Sequence, residues 1–330
     1  MSAMQFVPAL AAFAVSFLCL WLLLLPRGRQ LMLDRPNARS LHQQPVPRSG
    51  GIALAAGVAA GIALAPAAPL AAFGIAAVLA VLSLADDLHA LPTLLRLAAH
   101  VAAAAVLLAL EIGSAEPVLF LTLLLAIAWY ANLYNFMDGS DGLAGGMALI
   151  GFGAYGWAAQ QSGHAALAAS GSVLAAASLA FLLFNFHPAR LFMGDAGSVP
   201  LGFLAGALGV LGWRDSVWPL WFPVLVFAPF VCDATLTLLK RLLRGERVWQ
   251  AHKEHYYQRL VRMKFGHRGT AWIEYGAMAV CAALALFARE AEPGVQLAAL
   301  GAAVLALAAL AVWIDLRWAR SRPDSGDVRA

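Results

Sequence analysis

Eleven long apolar runs dominate this 330-residue sequence and constrain what it can fold into. Most hold roughly 17 to 24 residues, and a helix needs about 20 apolar residues to cross the hydrocarbon core of a bilayer. Backbone polar groups find no water in that core, so each run is predicted to be a helix. The runs cover 4–25, 49–66, 69–85, 93–110, 117–134, 142–159, 165–184, 197–213, 216–239, 271–288 and 294–314. We therefore predict an all-α polytopic membrane protein in which residues 1–330 form a single domain, with a long loop at 244–270 and a flexible tail at 317–330.

Composition excludes the main alternatives to a membrane protein. Charged residues make up 12% of the chain, whereas soluble globular proteins carry about 25%. The net charge of +4 is small, so we expect no nucleic-acid partner. Cys19, Cys232 and Cys281 each lie inside an apolar run without metal-ligand spacing. They are predicted to be buried thiols that behave as small apolar side chains.

The basic residues predict the orientation of the helices. If the N-terminus is periplasmic, all but two of the 22 lysines and arginines fall at cytoplasmic helix ends, loops or the tail, the exceptions being Arg214 and Arg289. This is the distribution that the positive-inside rule describes. We therefore expect the C-terminus to be cytoplasmic.

Two loops at the predicted cytoplasmic end carry charges of unusual placement. In the loop that ends at Gly50, Arg35, Arg39, His42 and Arg48 are candidates to bind phosphates, although a solvated basic loop would look the same. After the third run, Asp86 and Asp87 place two adjacent carboxylates at a helix end, where desolvation is costly. Such a pair can share a proton and act as a base, or bind a cation. The alternative is interfacial charge that only ends the helix.

The segment 132–146 is the most specific signal in the chain. It joins two predicted helices and contains Asn135, Asp138 and Asp141 among several glycines. Carboxylate and amide oxygens suit a hard cation such as Mg²⁺. Glycine also lets backbone amides approach an anion at the start of the next helix. A simple polar turn would not require this much oxygen.

Two further segments add candidate ligands at the same end. In 185–198, Asp195 lies between glycines where a helix begins, and Asn185 and Phe192 are candidates to recognise and stack a nucleobase. In the loop 244–270, His252 and His255 are three residues apart, a spacing that would place them on one helix face. Hydrogen bonding to phosphate or sugar is the functional interpretation, and a basic amphipathic helix on anionic lipid is the alternative.

Two acidic residues fall inside the apolar runs themselves. Asp233 lies in the ninth run and Glu274 in the tenth. An ionisable group within a membrane span is a functional candidate by default. Pairing with a neighbouring helix explains these two residues equally well.

Taken together, these motifs resemble those of the polyprenyl-phosphate N-acetylhexosamine-1-phosphate transferases of the glycosyltransferase family 4 type, and the eleven-helix layout resembles their O-antigen-initiating branch. The matching segments are Asp34-Arg-Pro-Asn-x-Arg with Gly50-Gly51, Asp86-Asp87, Asn132-x-x-Asn135-x-x-Asp138-Gly-x-Asp141-Gly-Leu, and Phe192-Met-Gly-Asp195-x-Gly-Ser198. They occur in the family's order and span about half of the chain.

The resemblance implies a reaction and its partners. A UDP-N-acetylhexosamine would donate its sugar 1-phosphate to undecaprenyl phosphate, releasing UMP and initiating a cell-surface glycan such as O-antigen. It further implies Mg²⁺, with Mn²⁺ as a possible substitute, an active site on the cytoplasmic face of the bacterial inner membrane, and a homodimer.

The resemblance also implies roles for individual residues. Asp86 would be the base on the lipid phosphate, with Asp87 beside it, and Asp138 and Asp195 would bind the metal. The implied substrate-binding residues are Asn135, Asp141, Asn185, Phe192, Arg190, His252, His255 and Arg48.

One departure from the family pattern bears on the substrate. The branch that makes peptidoglycan precursors has three consecutive histidines in the last loop, whereas this chain has His252-Lys-Glu-His255. We therefore expect a plain or 6-deoxy hexosamine rather than a muramoyl-peptide. The alternative function is transport of an anionic substrate, but a transporter would place its polar groups near the bilayer midplane.

Overall fold

A computed structural model of the chain describes residues 6–30, 32–34, 41, 44–113, 116–250 and 252–321. The predicted phosphate ligands Arg35, Arg39 and His42 lie outside these residues. The helices are α1 Val7–Leu23, α2 Gly50–Ala63, α3 Leu70–His89, α4 Thr93–Glu111, α5 Pro117–Met137, α6 Leu143–Gln161, α7 Ala165–Asn185, α8 Asp195–Arg214, α9 Trp221–Val226, α10 Ala228–Leu243, α11 Tyr256–Leu260, α12 Gly266–Ala288 and α13 Pro293–Ser321.

The helices confirm the predicted fold class. Seven of them are long and apolar enough to cross a membrane, with α11 and α12 counted as one continuous stretch, and the shorter α1 and α2 are also apolar. Sheet structure within the described residues is limited to one two-stranded hairpin, in which β1 Leu33–Asp34 pairs antiparallel with β2 Val46–Pro47. The chain is therefore an all-α polytopic membrane protein, and the orientation of its termini stays a prediction.

The ninth apolar run is not one helix, contrary to the prediction. It folds as α9 and α10, which are separated at Phe227. Pro223 lies inside α9 and Pro229 in the first turn of α10. Proline lacks the N–H group that a continuous helix needs and is accommodated best in a first turn, so the break follows from these two residues.

Several helices extend beyond the apolar runs that predicted them. α3 continues to His89, so Asp86 and Asp87 lie in its last turn rather than after it. Within the segment expected to be the loop 244–270, the chain forms α11, a π-helical turn at Val261–Phe265 and the start of α12. An apolar run ends at the first charged residue, whereas the helix itself continues, because backbone hydrogen bonding does not require apolar side chains.

The central helix of the bundle is α8. In the most apolar stretch of 18 residues in α8, 94% of the residues are buried inside the protein. Small residues make this packing possible, because a Cβ atom on Gly202 would lie 2.4 Å from the Tyr130 carbonyl oxygen of α5. The N-terminus of α8, which carries Asp195, is thereby held at a fixed point among α2, α3 and α5.

Candidate active site

The N-terminus of α8 is capped by a carboxylate from another helix. The residue before the helix, Gly194, has no side chain, and Asp87 of α3 supplies the missing acceptor. The Ala196 N–H donates to an Asp87 oxygen at 3.2 Å. The positive end of the helix dipole favours this carboxylate. Gly194 is required here because it has φ +71°, and a Cβ would lie 3.0 Å from Asp87.

Arg96 joins the other acidic residue of α3 to α8. Its guanidinium lies 2.9 Å from an Asp86 oxygen and 3.6 Å from an Asp195 oxygen. The other Asp86 oxygen accepts a hydrogen bond from the Leu91 N–H at 2.6 Å. Asp86 is therefore engaged on both oxygens, a position that suits an anchor for Arg96 better than a free base.

A short hydrogen-bonded chain orients the side chain of Asp195. The Asn135 amide donates to Asp195 at 3.2 Å, and the Ser198 hydroxyl donates to the Asn135 oxygen at 2.9 Å. Asn135 lies in the last turn of α5, so these two hydrogen bonds connect the segment 132–146 to the start of α8. The structure thus brings Asn135 and Asp195 together, as the sequence predicts.

Asp138 is the least engaged carboxylate of the cluster. Among the described residues, no hydrogen bond or ion pair to its side chain is present. Its burial, and then the neighbouring charges of Asp195 and Asp87, raise the pKa of Asp138 to about 8. A cation beside these three carboxylates would favour their ionised forms.

The donor set fits Mg²⁺, although the described residues contain no preformed group of three or more metal-ligating His, Cys, Asp or Glu side chains. Asp87, Asp138 and Asp195 offer hard oxygen ligands, and Mg²⁺ usually takes only one or two carboxylates and completes its shell with water and substrate phosphate. The arrangement is therefore open to a metal that arrives with a diphosphate.

The basic loop before α2 docks against this cluster. Arg48 lies 3.4 Å from the Asp87 carboxylate and also donates to the Asp87 carbonyl. Backbone hydrogen bonds connect the loop to the segment before α8: Phe192 N–H donates to Pro47 at 2.7 Å, and Gly50 N–H donates to Phe192 at 2.9 Å. Phe192 itself is half-buried at this junction.

Asp141 is held in a network with two histidines. One oxygen lies 2.6 Å from His187 Nδ1, and the Ala189 N–H donates to the same oxygen at 3.1 Å. The other oxygen lies 3.6 Å from Nδ1 of His267, at the start of α12. The two imidazole rings stack with centroids 5.6 Å apart. Asp141 therefore connects three segments at this end of the bundle.

Two predicted substrate ligands have structural partners in this geometry. The Asn185 side chain is 3% exposed and uses its amide to join two loops, accepting from the Gly142 N–H at 2.9 Å and donating to Leu191 at 2.8 Å. It is a positioning residue here and not an exposed base contact. Arg190 is exposed and lies over the Phe184 ring, 4.7 Å from its centroid.

The histidine pair does not share a helix face, contrary to the prediction, because α11 begins only at Tyr256. His255 is the residue before this helix, and its ring lies 4.9 Å from that of His252. Burial, then the neighbouring His255 and Arg241, lower the pKa of His252 to about 4. His252 is therefore neutral near pH 7 and suited to hydrogen bonding rather than charge pairing.

Asp233 holds this histidine segment in place. Its carboxylate accepts the Tyr256 and Tyr257 N–H groups, each at 2.9 Å, and lies 3.1 Å from His255 Nδ1. The intramembrane acid is thus a cap for α11 and pairs with a neighbouring segment. Glu274, the other acid predicted within a span, is 4% exposed.

Sequence reasoning missed two residues at the site, Arg96 and His267. Arg96 was counted only as a positive charge, yet it lies one turn into α4 directly after the Asp86-Asp87 pair. His267 lies 2.9 Å from the Ser140 hydroxyl and 3.3 Å from the Asp141 nitrogen. Only the short spacing between Asp86 and Arg96 was visible in the sequence, because the contact of His267 with Asp141 depends on tertiary structure.

Comparison with known proteins places the chain in a family. The profile of glycosyl transferase family 4 matches residues 69–212, which contain Asp86, Asp87, Asp138 and Asp195. The chain is 31% identical to a decaprenyl-phosphate N-acetylglucosaminephosphotransferase of Mycolicibacterium smegmatis, covering 82% of this chain and 78% of the relative. The chain belongs to glycosyl transferase family 4.

Two other relatives match this chain to different extents. A probable undecaprenyl-phosphate N-acetylglucosaminyl 1-phosphate transferase of Bacillus subtilis is 28% identical over 82% of each chain. A phospho-N-acetylmuramoyl-pentapeptide-transferase of Symbiobacterium thermophilum is 36% identical, but only over 47% of this chain and 45% of the relative. The alignment with this relative thus covers about half of each protein.

Proposed function

We propose that this protein transfers an N-acetylhexosamine 1-phosphate from a UDP-sugar to undecaprenyl phosphate. The observation that carries the proposal is the convergence of Asp87, Asp138 and Asp195 from three separate segments at one end of a membrane bundle. The names of the relatives that match over most of their length support the same class of reaction. A water-insoluble acceptor also explains why the cluster lies at helix ends.

The reaction joins two anionic substrates. An oxygen of the polyprenyl phosphate attacks the β-phosphorus of the UDP-sugar, and the bond from this phosphorus to the bridging oxygen breaks. UMP leaves with that bond's electron pair, and the sugar phosphate becomes part of a polyprenyl diphosphate. Positioning and charge neutralisation are the main requirements of phosphoryl transfer. Arg48 and Arg96, which already balance the carboxylates, are placed to reduce the repulsion between the substrates.

Asp138 and Asp195 are the residues that would bind Mg²⁺, or Mn²⁺ in its place, with Asn135 orienting Asp195. When bound, the metal neutralises negative charge on the diphosphate and on the departing UMP. Asp87 contributes by fixing the start of α8, so that Asp195 is held in one orientation. His252 and His255, positioned by Asp233, are proposed to hydrogen-bond the diphosphate or the sugar.

Asp86 has a less direct part in this proposal than a general base. A phosphate monoester is largely ionised near neutral pH, so the acceptor needs little help to lose a proton. Both Asp86 oxygens are occupied, by Arg96 and by the Leu91 N–H. We infer that Asp86 orients Arg96 toward the phosphates.

The sugar is proposed to be a plain or 6-deoxy N-acetylhexosamine. The spacing of His252 and His255, and the partial match to the muramoyl-pentapeptide enzyme, favour this donor over a muramoyl-peptide. The product would start a cell-surface glycan such as O-antigen, at the cytoplasmic face of the inner membrane.

The decisive experiment is turnover by the purified protein. It is incubated with undecaprenyl phosphate, Mg²⁺ and a panel of UDP-sugars, and UMP release is measured. We expect release with at least one UDP-N-acetylhexosamine and its loss when EDTA is added. Absence of release with every donor, together with uptake of an anionic solute into proteoliposomes, would instead favour the transport function.

A further inference from the structure

The end of the bundle that carries the active site also carries a second group of charges, on α12, α13 and the turn before α12. We call it the basic patch, and it consists of the exposed side chains Arg262, Lys264, Arg268, Arg317 and Arg320. None of these five forms an ion pair with another residue in the part of the chain that the structure describes. The patch therefore presents uncompensated positive charge.

Neighbouring basic residues are neutralised within the protein. Lys240 and Arg259 both pair with Asp315, at 2.6 and 2.8 Å. Arg244 pairs with Glu254 at 2.6 Å and with Glu246. Among the residues that the structure describes, the basic patch thus differs from its surroundings in lacking acidic partners, so the anion that would balance it is not one of them.

Aromatic rings hold two of the patch arginines. Arg262 lies over the Trp318 ring at 4.7 Å, and Arg317 lies over Phe265 at 5.5 Å and over Trp313 at 5.1 Å. A cation–π contact fixes a guanidinium and leaves its charge available to an anion. Arg262 also donates one hydrogen bond to the Lys253 carbonyl at 3.1 Å, which leaves its other donors for a ligand. Tryptophan beside arginine is also typical of the level of the lipid headgroups.

An apolar groove lies beside the patch, between α12 and α13. It has a volume of about 230 Å³, and every residue that lines it is apolar. Gly276, Val280 and Ala306 of its lining are exposed, so the groove opens at the outer surface of the bundle. Within a bilayer, this opening faces lipid tails.

The groove and the patch are connected through one small apolar cluster. Ile273 and Leu310 line the groove and also pack in the small apolar cluster that includes Phe265, the residue under Arg317. Leu310 precedes Arg317 by seven residues, which is about 10 Å along a helix. An apolar groove at that depth below a cationic rim matches the arrangement of tail and headgroup in a phospholipid.

We propose that the basic patch and the groove together bind one acidic phospholipid. Its phosphate lies against Arg262 and Arg317, and one of its acyl chains lies in the groove. The proposal does not depend on the proposed function, because α12 and α13 contribute no carboxylate to the cluster of Asp87, Asp138 and Asp195.

The headgroup is tested by lipid retention. Full-length protein is incubated with phosphatidylglycerol or phosphatidylcholine in detergent, and bound lipid is counted by native mass spectrometry. The parent protein retains phosphatidylglycerol preferentially. The double variant R262Q/R317Q is expected to lower this retention about fivefold for each charge removed. R244Q, which removes one positive charge at an internally paired site, should retain as much phosphatidylglycerol as the parent.

The acyl chain is tested by filling the groove. A Cβ at Gly276 would meet no atom within 4 Å, so Gly276→Leu fits without a clash and occupies the space. We expect it to lower phosphatidylglycerol retention. Gly301→Leu is the matched control, because Gly301 of α13 is equally unobstructed but does not line the groove.

Three results would overturn the proposal. Unchanged phosphatidylglycerol retention in R262Q/R317Q excludes the patch as its headgroup site. Unchanged retention in Gly276→Leu, with a loss of dimer mass, assigns the groove to a second copy of the chain. A raised KM for undecaprenyl phosphate in R262Q/R317Q, with phosphatidylglycerol retention unchanged, assigns the site to the polyprenyl substrate.

Discussion

At the scale of single residues, the aspartates of the site divide by what they already bind. Asp87 caps α8 and pairs with Arg48, and Asp86 is held by Arg96. Asp138 has neither kind of side-chain partner among the described residues. Position in the sequence did not distinguish these roles, because each role depends on the tertiary contacts between helix ends.

We expect Asp138→Asn and Asp195→Asn each to lower UMP release by about 100-fold or more, the size of effect seen when one electrostatic contact is removed from a transition state. An amide keeps the shape of the side chain and loses the charge that would bind the metal. Thermal unfolding of both variants should stay close to the parent.

Asp215→Asn, at the opposite end of α8, is the control and should retain full turnover. Full activity of Asp138→Asn would contradict its assignment as a metal ligand.

Arg96→Gln tests a residue that sequence reasoning missed. Without the guanidinium, Asp86 and Asp195 lose their shared cation, so a divalent metal meets less competition for Asp195. The Mg²⁺ concentration for half-maximal rate should therefore fall, while kcat falls because the substrate phosphates lose a positive neighbour. A titration of UMP release against Mg²⁺ measures both quantities.

Arg96→Lys keeps the charge and should recover part of kcat. A rise in the Mg²⁺ requirement of Arg96→Gln would show instead that Arg96 organises the metal site.

At the scale of elements, the site depends on helix ends that are fixed by other segments. α8 is capped from α3, α11 is capped by Asp233 of α10, and the start of α2 is bonded to the segment before α8. The apolar runs predicted most of these helices, since hydropathy reports how much chain crosses a bilayer. It did not predict the break at Phe227 or the five-residue α11, which depend on proline placement and on a cap 23 residues away.

The contact between α2 and α8 is tested by Gly51→Ala. A Cβ there would lie 2.5 Å from the Gly197 nitrogen and 2.7 Å from the Met193 carbonyl oxygen, so the backbone must move. Overpacking of this kind costs about 1–3 kcal/mol. We expect a lower unfolding temperature and a loss of turnover, because Gly197 lies in the first turn of α8 beside Asp195.

Gly74→Ala is the matched control, because a Cβ at Gly74 of α3 meets no atom within 4 Å. Alanine in an open helical position stabilises by roughly 0.5–1 kcal/mol. If Gly51→Ala unfolds at or above the parent temperature, the close packing of α2 on α8 is not required for stability.

At the scale of the whole molecule, the sequence was most informative about what lies at one end of the bundle. The charge bias and the positions of Asp86, Asp138 and Asp195 predicted a shared end, and the structure brings these residues together. The predicted orientation of that end relative to the cell rests on the distribution of the arginines and lysines.

Cysteine labelling measures the orientation. In a background in which Cys19, Cys232 and Cys281 are replaced, a cysteine at Gln161 or Ser162 should react with an impermeant reagent added to intact spheroplasts. A cysteine at Lys253 should react only after the membrane is opened. The reverse pattern would place the aspartate cluster on the periplasmic side.

The contact of His267 with Ser140 has a consequence for how the protein is made. The segments that meet at this end enter the membrane in order, and α12 emerges from the ribosome more than a hundred residues after the loop that it touches. Until α12 has been inserted, the Ser140–Asp141 turn lacks one of its ring partners. This end of the bundle is therefore completed late in biogenesis. In a nascent chain stalled before α12, Ser140 and Asp141 would lack their contacts with His267.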